Sequence, residues 1–193
     1  LSYSFELGLG SGFAALYGYY LSSPVNWLVA LCPRPLIAEF ITIVILVKIG
    51  LSGMSFAYYL RKRFGKDNMG LVFFTSAYAL SGFMAAYQWN IMWLDVVVLA
   101  PLVLWALEEL VEKGNGWKYG LLLACSIFTN FYLSIMLCIF LVLYFLSLII
   151  WKPWRVVWRR SVQFGWYSLL AGGMTGVLLI PVYFALSGTE FHE

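Results

Sequence analysis

Two ionisable residues stand where an ionisable residue is costly. Lys48 is the middle residue of an apolar run over 36–60, and Asp95 opens another apolar run beside Trp93, Leu94 and Val96. Lys48 lies about 18 Å of helix from either end of its run, too far for the ammonium to reach water easily along its stem. Charges at such depth are rare and face a cavity or a partner. Ser52, Ser55 and Tyr59 follow at helical spacing, so Lys48 heads a polar stripe. Such a cation has two readings: a ligand for phosphate or pyrophosphate, or half of a structural ion pair or amine-to-carbonyl contact. Asp95 also has two. A carboxylate near a helix N-terminus is favoured by the macrodipole, and a carboxylate in apolar surroundings can hold a divalent cation or a sugar hydroxyl. The sequence specifies no cofactor; a divalent cation on Asp95 is the candidate.

The remaining candidates are weaker. Glu39 reads as an interface charge, and Glu108, Glu109 and Glu112 as a solvated face. Cys32, Cys125 and Cys138 are odd in number, and two of them lie in apolar runs, so they read as structural thiols rather than a disulfide framework. His192 is the lone histidine and offers no metal-ligand pattern. Gly172 and Gly176 form a GxxxG pair, the signature of close helix packing. The stretch Gly8-Leu9-Gly10-Ser11-Gly12 reads as a flexible loop, because it lacks the strand and helix that flank a nucleotide fingerprint.

The elements that position these residues are membrane helices. Of 193 residues, 63% are hydrophobic, 19% aromatic and only 11% charged, and the mean hydropathy is +0.86. A soluble domain carries about 25% charge and could not hide this much apolar surface in one core. Lipid accepts it. The predicted class is an all-α polytopic membrane protein. Spans are expected over about 36–60, 69–88, 91–111 and 161–186, each near the roughly 20 residues that crossing requires. No alternating pattern argues for strands.

Positions 119–151 carry no charge. One helix of that length would be about 50 Å long against about 30 Å of hydrocarbon. It would also put two basic clusters on opposite sides. Arg61, Lys62, Arg63 and Lys66, then Lys113 and Lys118, then Lys152, Arg155, Arg159 and Arg160 should share the cytoplasmic side. A break at Thr129 and Asn130 resolves both conflicts by making the run a re-entrant hairpin, whose turn must be covered by protein or line a cavity. Trp27, Trp89 and Trp93 then fall near the outer interface, and Trp117, Trp151, Trp154 and Trp158 near the inner one. Residues 36–193 form the bundle, and residues 1–35 an outer-face loop. In that loop two short helices are expected to lie along the interface: 13–21, then one capped by Ser23, with Pro24 at its first position, running to Leu31. The net charge of +3 follows from topology and points to no nucleic acid.

The chain begins at Leu1 without a basic region and cleavage site, so no signal peptide is expected. Both ends are expected to continue in a longer polypeptide.

Several short motifs, in order along nearly the whole chain, resemble the bacterial YfhO membrane-protein family. They are Ser2-Tyr3-Ser4-Phe5-Glu6-Leu7-Gly8-Leu9-Gly10, Tyr19-Tyr20-Leu21-Ser22-Ser23-Pro24, Lys48-Ile49-Gly50-Leu51-Ser52-Gly53, Trp93-Leu94-Asp95 with Pro101-Leu102, and Thr129-Asn130-Phe131-Tyr132. The resemblance implies a GT-C-type glycosyltransferase in the bacterial cell membrane, multi-pass, with its active face outward. Its partners would be membrane lipid, a polyprenyl-phosphate-linked sugar and a cell-envelope acceptor. It would move the sugar from an undecaprenyl-phosphate carrier to a polymer such as teichoic acid. GT-C enzymes place a catalytic Asp in the first outer loop, so the principal base is expected upstream of Leu1, with Glu6 the acid remaining in that loop. Asp95 is the catalytic candidate within the chain. Lys48, Glu6, Arg34, Asn130 and Tyr132 are the substrate-binding candidates, with Lys48 or Arg34 stabilising the departing phosphate. Two other classes compete: a lipid-linked-sugar transporter or flippase, because broken helices and intramembrane charges also mark transporters, and a non-enzymatic assembly subunit.

Overall fold

The computed structural model describes residues 3–4, 11–12, 23–65 and 68–187. The expected helix over 13–21, Glu6, Lys66 and His192 lie outside the described residues. Two residue pairs form a minimal antiparallel ladder, β1 (Tyr3–Ser4) with β2 (Ser11–Gly12), so the end of the glycine-rich stretch is a paired edge and not a free loop. Everything else described is helix or connection. The fold is an all-α polytopic membrane protein, with four helical segments long and apolar enough to cross a membrane.

A segment of short helical turns precedes the long helices. It consists of α1 (Pro24–Trp27), a 3₁₀ turn over Leu28–Leu31 and a second 3₁₀ turn over Arg34–Leu36. Ser23 sits at the N-cap position with extended backbone, but its hydroxyl makes no cap bond, contrary to the sequence expectation. The Ser23 hydroxyl is buried without a partner among the described residues.

Helix α2 (Ile37–Phe64) runs past the expected end, through Arg61, Lys62 and Arg63, whose charges favour a helix C-terminus. It stops at Gly65, in the left-handed conformation at φ 63°. The expected second span is two helices, α3 (Met69–Ala79) and α4 (Gly82–Tyr87), interrupted where Ser81 turns extended ahead of Gly82. Helix α5 (Ile91–Lys113) carries Pro101 and ends on Gly114 at φ 82°. The charge-free run divides at Asn130 into α6 (Trp117–Thr129) and α7 (Phe131–Ile149). The expected last span is also different. Helix α8 (Trp154–Met174) starts inside the basic cluster, and α9 (Gly176–Ser187) follows a break at Thr175. The Thr175 hydroxyl bonds back to the carbonyls of Ala171 and Gly172 at 3.0 and 3.1 Å, where it competes with the helix's own amides.

Side-chain contacts fix the direction of each helix. Lys48 meets Asp95, and further along both helices Tyr59 meets Glu108, so α2 and α5 are parallel. Tyr132 stacks on Trp93 and Tyr144 reaches Glu108, so α7 runs with them. Tyr119, about three turns before Asn130, and Phe145, about four turns after it, both lie on the ring of Phe164, at 5.6 and 4.3 Å. The chain therefore folds back at Asn130, and α6 runs antiparallel to α7. Helix α8 climbs beside α6, with Arg160 on the Val111 carbonyl at its start and Ser168 on Tyr119 further up. The consequence is that the connections after α2, α5 and α7 lie at one end of the bundle.

The apolar core sits between α5, α6, α7 and α8, around Val103, Leu107, Leu110, Leu123, Leu141 and Phe145. Close approach occurs at Gly116 and Gly120, which lie under Tyr167, and at Gly53, which faces Ala79. It does not occur at Gly172, where an added methyl group would meet nothing within 4 Å, nor at Gly176, where it would meet only Ile180 of the same helix. The GxxxG pair is thus not a packing contact among the described residues.

Candidate functional site

The two charges singled out by depth are each other's partner. Lys48 Nζ lies 2.9 Å from both carboxylate oxygens of Asp95. It also donates to the Ile91 carbonyl at 3.0 Å and to Asn26 Oδ1 at 3.1 Å. An ammonium has three donors, and all three are placed. Lys48 is 2% exposed and Asp95 8%. Either charge alone would be expensive at this depth, while the pair is neutral. The ammonium thereby ties three elements together: α2, the first turn of α5, and α1 through Asn26.

Asp95 is not a helix cap. Helix α5 begins at Ile91 with Asn90 at the N-cap, and Asp95 lies beyond the first turn. Nor is it part of a metal cluster. Among the described residues, no three of His, Cys, Asp and Glu come together. The donor set at Asp95 among the described residues is one carboxylate already held by an ammonium, which does not fit a bound cation.

The pair opens on an apolar groove of ≈ 480 Å³ between α1, α2 and α5. Phe40, Val44 and Val47 line one wall, Val98 and Leu99 the other, and Thr129 reaches it from the hairpin tip. Asn130, at that tip, is fully buried, and its side chain accepts from Leu133 N at 2.9 Å, capping α7. Ser126 and Ser134 close the turn from either side, with their hydroxyls 2.9 Å apart. Tyr132 stacks on Trp93 at 6.1 Å, and Trp93 also packs on Tyr87 at 5.6 Å. Trp93 Nε1 is buried without a partner among the described residues. Trp93 is therefore packed among aromatic neighbours, unlike Trp89, which is exposed and donates to the Ala86 carbonyl.

Lys48, Asp95, Asn130 and Tyr132 thus gather at one end of the bundle, opposite the basic connections. Arg34 does not join them; it is exposed on its 3₁₀ turn and does not line the groove. Glu39 is exposed as well.

Residues 1–191 match the family model described as bacterial membrane protein YfhO. The chain belongs to the YfhO family. No curated protein and no solved structure matches it. In this YfhO chain, the polar stripe on α2 continues from the ion pair to the other end. Ser52 and Ser55 are buried and bond to carbonyls of their own helix. Tyr59 then joins Glu108, Tyr144 and Arg63, whose guanidinium lies 3.2 Å from Glu108.

That second cluster corrects the reading of the three glutamates. Glu108 is 7% exposed and buried by its two tyrosines, and Glu109 is shared by Lys113 and Lys118 at 3.2 and 2.9 Å. Only Glu112 is a solvated side chain. Sequence reasoning also missed Asn26 as a partner of Lys48. The available signal for the main pair was two opposite charges inside apolar runs; nothing local in the sequence tied Asn26 to either.

Proposed function

We propose that this YfhO-family chain belongs to a membrane glycosyltransferase that takes a sugar from an undecaprenyl-phosphate carrier. It transfers the sugar to a cell-envelope polymer such as teichoic acid, on the outer face of the membrane. The observation that carries the reading is the buried Lys48–Asp95 pair at the head of an apolar groove. A polyprenyl-linked sugar has the matching halves, an anionic phosphate and a long hydrocarbon chain. The groove offers surface to the chain, and Lys48 offers its charge to the phosphate.

The full occupation of Lys48 sets the form this takes. A lone ammonium or carboxylate is costly at this depth, so the two neutralise each other. An incoming phosphate takes over Lys48 as counter-ion and leaves the Asp95 carboxylate beside the sugar. In the transfer, the acceptor hydroxyl oxygen bonds to the anomeric carbon as the carbon–oxygen bond to phosphate breaks. The hydroxyl proton passes to a base and the bonding pair leaves with the carrier phosphate. The base is proposed to be an acidic residue of the outer loop. Asp95 is assigned to holding the sugar, and Tyr132 and Asn130 to shaping the cavity at the hairpin tip.

The orientation of the reading rests on the Lys and Arg bias, which favours the basic end in the cytoplasm and the ion-pair end outside. The test is transfer by the purified full-length protein from a polyprenyl-phosphate sugar to a polymer acceptor. Lys48→Met should remain folded and lose transfer or raise the donor KM. Equal kinetics in a folded Lys48→Met protein would remove the charge from the reaction.

One observation favours a second reading. The interruptions at Ser81 and Thr175 are of the kind that transporters place around a substrate path. A lipid-linked-sugar flippase would move the donor across vesicles without transferring the sugar. An assembly subunit would do neither.

A further inference from the structure

We propose that residues 151–159, the connection into α8 and its first turns, form a docking site for the head group of an anionic phospholipid. The lipid would lie in the leaflet at the basic end of the bundle. The first observation is a local run of cations without carboxylate partners. Lys48, Arg63, Lys113 and Lys118 each have a carboxylate, and Arg160 turns inward onto the carbonyls of Val111 and Glu112 and onto Gln163. Lys152, Arg155 and Arg159 are exposed and make no ion pair with the described residues. No partner is near in sequence, because no Asp or Glu occurs between Glu112 and Glu190.

The second observation is what stands beside them. Trp151, Trp154 and Trp158 are exposed, and positions 154, 155, 158 and 159 share one face of α8. Val156, Val157 and Arg160 take the inward side. Further along the same face come exposed Val162, Trp166 and Leu169, an apolar stripe for acyl chains. The arrangement is a cation layer flanked by indoles above a hydrocarbon-facing stripe. An anionic phospholipid presents complementary layers in the same order: phosphate, interfacial glycerol, hydrocarbon. Each Lys or Arg near such a surface contributes about a fivefold preference, so three give about a hundredfold.

The test uses the full-length protein in nanodiscs of phosphatidylcholine with a minority of phosphatidylglycerol, with the lipids retained on the protein counted by native mass spectrometry. Enrichment of phosphatidylglycerol around the wild type is expected, collapsing in Lys152→Gln/Arg155→Gln/Arg159→Gln. Because exposed interactions are screened, the wild type alone should also lose its enrichment in about 1 M salt, where the screening length falls to about 3 Å. That measurement needs no variant to fold. Unchanged enrichment in the triple variant or in high salt would overturn the proposal. So would displacement of the lipid by millimolar inorganic phosphate, which would make the site one for free phosphate instead.

Discussion

Removing either member of the Lys48–Asp95 pair should cost far more than removing both. In Lys48→Met, the Asp95 carboxylate keeps its burial and loses its counter-ion; in Asp95→Asn, the ammonium keeps only the Ile91 carbonyl and neutral amide acceptors. Breaking a buried pair from one side costs roughly 3–5 kcal/mol in soluble proteins. Inserting a lone charge at bilayer depth costs about 2.5–3.5 kcal/mol on the translocon scale. Each single variant should therefore lose about 3 kcal/mol. The double variant leaves no charge behind, so it should lose no more than about 1 kcal/mol rather than about 6, a coupling of about 5 kcal/mol. Uncharged polar contacts between membrane helices couple by about 0.6 kcal/mol and at most about 1.7. A value above that ceiling marks an ion pair. The assay is unfolding of the full-length protein in mixed micelles, followed by tryptophan fluorescence. A coupling below about 0.5 kcal/mol would refute the reasoning, because the two charges would then not be neutralising each other. Transfer activity divides the structural role from the functional one. The double variant should recover stability and remain inactive; recovery of both would make the pair a structural pin.

Other outcomes follow from single contacts. Glu108→Ala should destabilise by about 2–3 kcal/mol in the same unfolding assay, because it strands Tyr59, Tyr144 and Arg63, whereas Glu112→Ala should fall within about 0.5. Gly114→Ala should destabilise by more than 1 kcal/mol by the same measure, since its φ is 82° and Arg160 occupies the space of the new methyl group. Gly50→Ala, in a helix interior with open space, should stabilise by about 0.5–1 kcal/mol. Asn130→Ala should cost about 1 kcal/mol through the lost cap on Leu133 N, while Asn130→Ser, a neutral capping residue, should retain most of it. Cysteines introduced at Asn115 and Arg155 in a cysteine-free background should both resist an impermeant thiol reagent in intact cells. Labelling of one and not the other would contradict the shared basic end.

The membrane class was legible from composition alone, because apolar content and run length are local quantities and lipid imposes helices on any run that crosses it. The break at Asn130 was legible for the same reason: a charge-free run too long for one crossing, with basic clusters at both ends, leaves few ways to run. The depth of Lys48 and Asp95 marked both as needing a partner. The identity of that partner was not legible. It required α2 and α5 to run parallel with α3 and α4 between them, and it required α1 to fold down so that Asn26 took the third donor. The glutamates at the other end show the same limit. Their position near three basic clusters read as a solvated face, yet Glu108 is enclosed because α2 and α7 bring Tyr59 and Tyr144 to it from distant parts of the chain. The interruptions at Ser81 and Thr175 escaped notice because an apolar average ignores a single extended residue or a hydroxyl that bonds back to its own helix. Sequence fixes what each residue costs in lipid. Which neighbour meets that cost is decided by the directions of the helices, and those exist only once the bundle is assembled.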